Sequence, residues 1–371
     1  MTFEFSAIYF ICLLFIHLAL LSIILYNFFT AYRLTTKSAL NKHEPFLSVL
    51  IPARNEENNI GHCLDCLVNS SYKNLEIKVL DDASTDQTFK IISEFQKKYP
   101  NIELITGEPL PSDWLGKNWA CYQLSKVAHG DLLLFLDADV RITNQAINSS
   151  VHTFLDKKVK MLSVFPTQII KSFGEWLVVP LMDWLLLTFL PLKKIYTSTK
   201  TSLAAANGQF LMFDRKMYFK LGGHQAVCHK IVEDMEFVRI FKSSGAKVIT
   251  LLGNDLVKCR MYVSLRSAVR GFTKNFFSGF NTTIATFIMI LLLLSLIFIL
   301  PIFIVLFENS YILIVILIIS QIVFTSLLSR QNILLRIVLF FPQMILLLFI
   351  GVKSLIAFKE RTIEWKDRII K

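Results

Sequence analysis

Long apolar stretches lie at both ends of this chain of 371 residues, and between them short apolar runs alternate with polar segments. Residues 5–29 contain no Lys, Arg, Asp or Glu. Such a stretch is long enough to cross the roughly 30 Å hydrocarbon layer of a membrane. Three further stretches are candidate spans, namely Thr282–Phe307, Tyr311–Leu328 and Ile337–Val352. The pattern therefore predicts membrane helices on either side of a folded middle domain.

The boundaries of the regions follow from these stretches. We predict an N-terminal membrane anchor with a basic linker over residues 1–43, a middle domain over residues 44–280, transmembrane helices over residues 281–352 and a basic tail over residues 353–371. A cleaved signal peptide is not expected, because Glu4 precedes the first apolar stretch and no convincing small-residue cleavage site follows it.

Basic residues indicate the orientation of the middle domain. Arg33, Lys37 and Lys42 follow the first span, and cytoplasmic loops are enriched in Lys and Arg. We therefore expect a multi-pass protein of the cell membrane whose middle domain and basic tail are cytoplasmic. Three C-terminal crossings would instead put the tail outside. One of the C-terminal segments is therefore expected to be re-entrant or to lie in the membrane interface.

In the middle domain, apolar runs of strand length alternate with amphipathic stretches of helical period. The predicted strands are Phe46–Pro52, Leu75–Asp82, Ile102–Gly107 and Leu132–Asp137, and the predicted helices are Asn58–Val68, Thr85–Tyr99 and Asn118–Ala128. This alternation is typical of an α/β fold with a parallel sheet covered on both faces. Ligands of such sheets bind at the carboxyl ends of the strands, so we expect the functional site there.

Carboxylates follow two of these strands. Asp137 and Asp139 point to the same side at the end of a strand, so they repel each other unless a cation lies with them. Oxygen ligands suit Mg²⁺ or Mn²⁺, which can also bind substrate phosphates. The alternative is that both carboxylates only cap the following turn. Asp81 and Asp82 follow the neighbouring strand, where they can accept hydrogen bonds from a base or a ribose, or cap the turn before Ser84.

Charged residues further along the chain are candidates for the reaction itself. Glu233 and Asp234 interrupt an apolar run, where a buried carboxylate can deprotonate an acceptor hydroxyl. Alternatively, they are acidic residues at a helix N-terminus. Arg270 and Lys274, four residues apart, share one helix face and can hold a departing diphosphate. Their alternative role is a basic face on anionic lipid.

Composition narrows the class of protein. The formal net charge is +11 and 54% of the residues are hydrophobic. No compact basic patch with interleaved aromatic residues occurs, so nucleic acid is not an expected partner. A dinucleotide G-x-G-x-x-G sequence and a Walker A sequence are both absent, which argues against a dehydrogenase and a P-loop enzyme. Cys63 and Cys66 form an isolated C-x-x-C pair, interpreted as packing in a reducing compartment, with a metal or redox site as the alternative.

Residues 171–194 form a shorter apolar segment within the middle domain. Pro180 and Asp183 interrupt it, so a complete membrane crossing would be costly. Flanking tryptophans and lysines favour an interfacial element, and a core helix of the domain is the alternative. An interfacial element would hold one side of the site against lipid, which suits an acceptor dissolved in the bilayer.

In combination, these motifs resemble family-2 glycosyltransferases. The matching segments are PARNE (52–56), DDASTD (81–86), WLGKNWA (114–120), DAD (137–139), NGQF (207–210), GGH (222–224), VED (232–234) and WKDR (365–368). The likeness covers nearly the whole chain. Within the family, the chain looks closest to membrane-anchored enzymes that glycosylate carotenoids and related polyisoprenoid lipids.

The resemblance implies a Rossmann-like nucleotide-diphospho-sugar transferase domain of the GT-A type between the membrane segments. It implies a metal-dependent, inverting hexosyltransferase that moves a single hexose to a lipid-soluble acceptor. The expected sugar is glucose and the expected donor is a UDP-sugar. Asp139 would be the main ligand of Mg²⁺ or Mn²⁺, Asp137 would point toward the ribose or the metal, and Asp234 would be the general base.

The remaining site residues fall into two groups. One group is expected around the nucleotide sugar and includes Arg270 and Lys274. Its members are Pro52, Arg54, Glu56, Asp82, Lys117, Asp137, Arg270 and Lys274. The residues expected on the acceptor side are Gln209, His224 and Glu233.

One motif departs from part of the family. Processive members carry Q-x-x-R-W after the base, whereas here Arg270 is present but Ser267 and Gly271 stand in the Gln and Trp places. A processive polysaccharide synthase that exports a polymer through its transmembrane helices is therefore the alternative function. A membrane scaffold without catalytic activity is the third possibility.

Overall fold

An α/β domain is packed against a group of long apolar helices. The structure is a computed structural model, and it describes residues 2–36, 44–360, 362, 364–365 and 368–369. The helices are α1 (Thr2–Thr30), α2 (Ile60–Val68), α3 (Thr88–Lys98), α4 (Gly116–Val127), α5 (Ala146–Asp156), α6 (Phe173–Val178), α7 (Pro180–Phe189), α8 (Lys193–Thr197), α9 (Arg215–Lys220), α10 (Glu233–Ser243), α11 (Leu265–Phe280), α12 (Ile284–Leu294), α13 (Leu300–Ile304), α14 (Ile312–Ser329) and α15 (Ile333–Glu360). The strands are β1 (Leu47–Ala53), β2 (Leu75–Asp81), β3 (Ile102–Thr106), β4 (Leu132–Leu136), β5 (Val140–Ile142), β6 (Met161–Phe165), β7 (Thr167–Gln168), β8 (Phe210–Asp214), β9 (Val248–Leu252), β10 (Val257–Cys259), β11 (Glu364–Trp365) and β12 (Arg368–Ile369).

A seven-stranded sheet forms the centre of the domain, in the order β3-β2-β1-β4-β8-β6-β9. Strands β3, β2, β1 and β4 are parallel, as the alternating sequence pattern predicts. Strand β8 is antiparallel to both β4 and β6, so the sheet is mixed, and the prediction of a parallel sheet holds only for the first half. An apolar run such as that of β8 indicates a buried strand but carries no signal for its direction.

Helices bury both faces of this sheet, which explains why its central strands are apolar at every position. In β4, Leu134 packs in a core cluster with residues of α2, α3 and α5. The next residue, Phe135, packs in a second cluster with residues of α4 and α10, and this cluster also contains Ile24 from the end of α1. The first apolar helix is therefore anchored in the core of the domain.

A second, small sheet lies next to the end of β4. It has the order β5-β10-β7, and the antiparallel pairing of β10 with β5 puts Cys259 opposite Val140. Because Val140 directly follows the D-A-D motif, this register brings β10 alongside the carboxylates at the end of β4.

Four helices are long and apolar enough to cross a membrane by length and composition, and they are Ser6–Thr30, Ile284–Ile304, Asn309–Ser329 and Ile333–Glu360. The first three agree with the predicted stretches, although a π-helical turn at Ser295–Ile299 separates α12 from α13. The fourth continues to Glu360, so the first residues of the predicted tail are helical. Lys37 and Lys42 of the predicted linker, and Lys366 and Asp367 of the WKDR motif, lie outside the described residues.

The segment of residues 171–194 folds mainly as α6 and α7, which meet at Pro180. The side chain of Asn27 on α1 donates hydrogen bonds to the carbonyl oxygens of Leu187 at 2.9 Å and Leu190 at 2.8 Å. Trp184 is buried, with its ring centroid 4.9 Å from that of Phe298 in the π-helical turn. The segment thus connects the α/β domain to the apolar helices.

Gly130 allows the close approach of β1 and the start of β4. A Cβ atom at this position would lie 2.4 Å from Ser48 N and 2.7 Å from Leu132 O, closer than van der Waals contact. We therefore expect Gly130→Ala to destabilise the domain by about 1–3 kcal/mol, measured as a lower thermal midpoint in detergent. Gly279→Ala is the control, because a Cβ at Gly279 in α11 meets no atom within 4 Å. Equal midpoints for the two variants would contradict this packing.

Candidate active site

The loops that follow β1 and β2 are joined to each other by hydrogen bonds. The Arg54 guanidinium donates to the carbonyl oxygen of Asp82, and Asn55 N donates to Ser84 Oγ at 3.0 Å. Asp81 Oδ2 accepts a hydrogen bond from Ser84 N at 3.2 Å, so this carboxylate caps the turn. Asp82 is buried beside it. The first two motifs therefore form one continuous edge at the carboxyl ends of neighbouring strands.

The end of β4 is tied to the start of α10 by a lysine. Lys117, in the first turn of α4, has its Nζ 2.9 Å from Asp137 Oδ1 and 3.0 Å from Asp137 Oδ2. The same Nζ lies 3.3 Å from Glu233 Oε1. One ammonium group thus lies between two carboxylates from distant parts of the sequence.

Glu233 and Asp234 form the first turn of α10, and both lie next to Gly208 in the NGQF motif. A Cβ atom on Gly208 would lie 3.2 Å from Glu233 Oε1, 3.2 Å from Lys117 Nζ and 3.6 Å from Asp234 Oδ2. Gly208 N donates to Asp234 Oδ2 at 2.9 Å, and Met235 N donates to Asp234 Oδ1 at 2.7 Å. The two carboxylates therefore occupy a helix N-terminus and also converge with Lys117.

Burial and like charges alter the proton affinities of these groups. Burial, and then the neighbouring Glu233, raise the pKa of Asp234 to about 7. Burial alone lowers the pKa of the Lys117 ammonium, but Asp137 and Glu233 outweigh it and hold that pKa well above its usual value. Asp234 can therefore take up and release a proton near neutral pH, which suits a general base.

Asp139 has the surroundings of a cation ligand. Burial, and then Asp137, raise its pKa to about 7. Its Oδ1 is buried and accepts no hydrogen bond from the residues that the structure describes. A divalent cation would satisfy this oxygen and offset the repulsion between the two carboxylates, so the residues fit such an ion. Within the described parts of the chain, no three His, Cys, Asp or Glu side chains are grouped to hold a metal, so substrate oxygens would complete its coordination.

Cys259 is a neighbour of the site that the sequence did not indicate. Its thiol is hydrogen-bonded to Asp139, and Gln209 Nε2 donates to its Sγ at 2.7 Å. Its proximity depends on the pairing of β10 with β5, which no local pattern reveals. Cys63 and Cys66 are free cysteines, and Cys63 Sγ lies 3.9 Å from the carbonyl oxygen of Asp137.

The other predicted site residues differ in their surroundings. Burial lowers the pKa of Lys274 on α11 to about 8, and Glu233 is the largest opposing influence, so this lysine faces the carboxylate cluster. Arg270 lies on the exposed side of α11. His224 is buried, with Nδ1 2.6 Å from Tyr218 Oη, and its ring packs against Phe135. The acceptor role of His224 stays a prediction.

Comparison with known proteins tests the predicted resemblance to family-2 glycosyltransferases. The sequence model of glycosyl transferase family 2 matches residues 48–222. The chain is 27% identical over 256 residues to a 4,4'-diaponeurosporenoate glycosyltransferase of Staphylococcus haemolyticus, a match that covers 67% of this chain and 65% of the relative. A Staphylococcus aureus protein of the same name is 27% identical over 255 residues, covering 68% of this chain and 66% of the relative. The matches thus span slightly less than two-thirds of the length of these relatives.

A solved structure shares the fold. A mannosyltransferase from Pyrobaculum calidifontis, determined in complex with GDP-Man and Mn²⁺, superposes with a TM-score of 0.55 at 16% identity. The superposition covers 97% of this chain and 99% of that one. The α/β domain therefore has the GT-A-like fold that the motifs predict. The match of the family's sequence model to residues 48–222 and the similarity to the two relatives confirm the resemblance to glycosyl transferase family 2.

Proposed function

We propose that the protein is an inverting glycosyltransferase that moves one hexose from a nucleotide diphosphate sugar to a lipid-soluble acceptor such as a carotenoid or another polyisoprenoid. The donor is a UDP-sugar and the hexose is glucose. The observation that supports this function most is the convergence of Asp137, Glu233 and Asp234 around Lys117 and Gly208. A scaffold without catalytic activity would have no need to gather these like charges in a partly buried site, because their partial desolvation and mutual repulsion are unfavourable.

On the donor side, the nucleotide sugar lies along the carboxyl ends of β2, β1 and β4. Pro52, Arg54, Glu56 and Asp82 line the nucleotide, and Asp137 is directed to the ribose or the metal. Asp139 would hold Mg²⁺ or Mn²⁺, and such an ion would supply positive charge to the diphosphate leaving group. Lys117, Lys274 and Arg270 supply further positive charge for the departing diphosphate.

On the acceptor side, Asp234 acts on the oxygen that receives the sugar. Its carboxylate takes the proton from this oxygen, the oxygen forms a bond to the anomeric carbon, and the bond from that carbon to the diphosphate breaks. Attack from the face opposite the leaving group inverts the anomeric centre. This proton transfer applies to an acceptor hydroxyl group or to a carboxyl group that arrives protonated, because a carboxylate has no proton to give. Gln209, His224 and Glu233 line this side.

Several features support a lipid acceptor at a membrane. Two relatives are named for glycosylation of 4,4'-diaponeurosporenoate, and four helices have the length and composition of membrane spans. Residues 44–280 form the catalytic domain on the cytoplasmic side, where nucleotide sugars are made available. The segment of residues 171–194 lies at the membrane interface and brings the acceptor's polar end toward Asp234.

Addition of a single sugar fits the site better than polymer synthesis. A Cβ atom on Gly271 would lie 2.1 Å from Tyr262 Oη and 2.4 Å from the Tyr262 ring. The tyrosine therefore fills the space that a tryptophan of the processive Q-x-x-R-W motif would need at this position. Product length distinguishes the two functions, because a processive synthase yields chains of many sugars.

The proposed use of a UDP-sugar and the proposed metal role of Asp139 are tested by measuring the release of nucleoside diphosphate in the presence of acceptor. Purified protein in lipid, given UDP-glucose, Mn²⁺ and a lipid extract, is expected to release UDP. The Asp139→Asn variant is expected to need at least about tenfold more Mn²⁺ for half-maximal release, since even indirect changes at metal sites cost 10–100-fold in affinity.

Asp131→Asn is the matched control for this experiment. Asp131 lies at the opposite end of β4, where its Oδ2 accepts a hydrogen bond from Phe46 N at 3.1 Å. This variant is expected to keep the Mn²⁺ requirement of the wild type. An unchanged requirement in Asp139→Asn would contradict the assignment of Asp139.

A further inference from the structure

We infer that α15 does not cross the membrane but lies along the membrane face next to the α/β domain, so that the chain crosses only with α1, α12–α13 and α14. The inference rests on the proposed membrane location of the apolar helices. By length and composition α15 counts as a span, because it is an apolar helix of 28 residues. Its contacts lead to a different conclusion.

Contacts among the three other helices define two sides. Ser6 Oγ, near the start of α1, donates to Glu308 Oε2 at 2.6 Å, and Tyr311 Oη donates to the Ser6 carbonyl at 3.1 Å. The start of α1 and the turn between α13 and α14 therefore lie at the same end, called here the far side. After the other end of α1, Arg33 forms a β-bridge with Leu252 of β9. That end, which adjoins the α/β domain, is called here the domain side.

The first residues of α15 lie on the domain side. Arg330, between α14 and α15, forms an ion pair with Asp255 in the turn between β9 and β10. One turn into α15, the buried Arg336 donates through Nη1 to the carbonyl oxygen of Pro180 at 2.7 Å. The start of α15 is therefore bound both to the α/β domain and to α7.

The last turns of α15 lie on the domain side as well. Phe277 N in α11 donates to Ser354 Oγ at 3.0 Å, and the rings of Phe277 and Phe358 have centroids 4.7 Å apart. Phe277 is one turn after Lys274, which faces the carboxylate cluster. The end of α15 therefore packs against the helix that borders the candidate active site.

The middle of α15 bonds to the same group of helices but lies deeper than its ends, since the ring centroids of Phe341 and of Phe303 in α13 are 5.4 Å apart. Gln343 Nε2 donates to the carbonyl oxygen of Trp176 in α6 at 2.6 Å. Arg336, Gln343 and Ser354 extend over 18 residues, or about 27 Å at 1.5 Å per residue. All three bond to α6, α7 or α11, which are attached to the α/β domain. A crossing helix would instead have one end bound at the domain side and the other at the far side.

The opposite face of α15 is apolar and exposed. Exposed apolar side chains recur along it at helical spacing, and they include Leu334, Val338, Ile345, Phe349, Val352 and Ile356. This stripe is apolar as far as Val352, where the exposed Lys353 adjoins it, and it resembles the exposed apolar positions of α1, α12 and α14. Its occupant is therefore the acyl chains of the leaflet on the domain side, as for other helices that lie in a membrane interface.

This arrangement settles the direction of the tail. With three crossings, Lys353 and Lys359 lie on the same side as the α/β domain, in keeping with the preference of Lys and Arg for the cytoplasm. The same arrangement places the lipid-facing helix α15 against α11, which borders the site. An acceptor dissolved in that leaflet then has the shortest path to Lys274 and Asp234.

Cysteine labelling of the full chain tests the inference. The reporters are Thr362→Cys in the tail, Ser310→Cys in the turn on the far side and Lys90→Cys on α3, and all three positions are exposed. The background carries Cys12→Ser, Cys66→Ser and Cys228→Ser, since the remaining cysteines are buried. A membrane-impermeant maleimide is applied to right-side-out and to inverted vesicles, and glycosyl transfer confirms that each variant is folded.

Thr362→Cys is expected to react in the same vesicles as Lys90→Cys, and Ser310→Cys in the opposite ones. Reaction of Thr362→Cys together with Ser310→Cys would overturn the inference, because α15 would then cross. Failure of the proposed orientation gives a different result: Lys90→Cys would react in right-side-out vesicles, whichever side the tail occupies.

Discussion

Replacing Asp234 with asparagine is expected to lower the rate of glycosyl transfer by about 10²–10⁴-fold, the usual contribution of a positioned general base. The amide cannot take a proton from the acceptor oxygen. Binding of the nucleotide sugar is expected to stay near the wild-type level, because Asp234 belongs to α10, whereas the residues proposed to line the nucleotide belong to β1 and to the loops after β1 and β2. The measurement is a single-turnover rate at saturating donor, with donor affinity determined separately by calorimetry.

Glu236→Gln is the matched control, since it removes a carboxylate two residues after Asp234 in α10. The Glu236 Oε2 atom lies 3.0 Å from Arg239 Nη1, so this carboxylate has a partner of its own. This variant is expected to keep its transfer rate. Because the base must be ionised and its pKa is raised to about 7, the wild-type rate is expected to fall as the pH decreases below about 7. A transfer rate in Asp234→Asn within a few-fold of the wild type, or without any change in this acidic decline, would contradict the role of Asp234.

Replacing Lys117 with methionine is expected to give the largest loss of stability among the site variants. The change leaves Asp137 and Glu233 close together without the ammonium group between them. Removing one partner of a fully buried ion pair typically costs about 3–5 kcal/mol, and we expect a smaller loss here because Lys117 and Asp137 are each about a quarter exposed. The measurement is the thermal midpoint in detergent, where Mn²⁺ is expected to raise the midpoint of this variant more than that of the wild type.

Lys126→Met is the control for Lys117→Met. Lys126 lies on the same helix, is exposed, and has its Nζ 4.8 Å from the centroid of the Tyr122 ring. This variant is expected to unfold close to the wild-type midpoint. If both methionine variants unfolded at the same temperature, Lys117 would not be the cation that holds the carboxylates together.

The sequence predicts the first half of the domain closely. The strand predicted at Leu75–Asp82 is observed at Leu75–Asp81, and the one predicted at Leu132–Asp137 at Leu132–Leu136. These strands are buried on both faces and bounded by polar loops, so composition and length identify them together. The position of the polar clusters at the strand ends follows from the same pattern.

The contacts that assemble the site could not be predicted in the same way. The contact of Lys117 with Glu233 joins residues more than one hundred positions apart, and the neighbourhood of Cys259 and Asp139 depends on a strand register. Hydropathy measures how readily a helix enters lipid, but it does not tell whether the helix crosses. For α15 that question depends on the hydrogen bonds of Arg336, Gln343 and Ser354.

The most direct measurement of the central claim is mass spectrometry, with proton NMR for the anomeric configuration, of the lipid made by purified protein from UDP-glucose, Mn²⁺ and extracted membrane lipids. The account predicts a polyisoprenoid lipid that carries a single hexose with inverted anomeric configuration, formed at least about a hundredfold more slowly by Asp234→Asn. A polymer of many sugars, a retained anomeric configuration, or formation of the same product by Asp234→Asn at nearly the wild-type rate would contradict it.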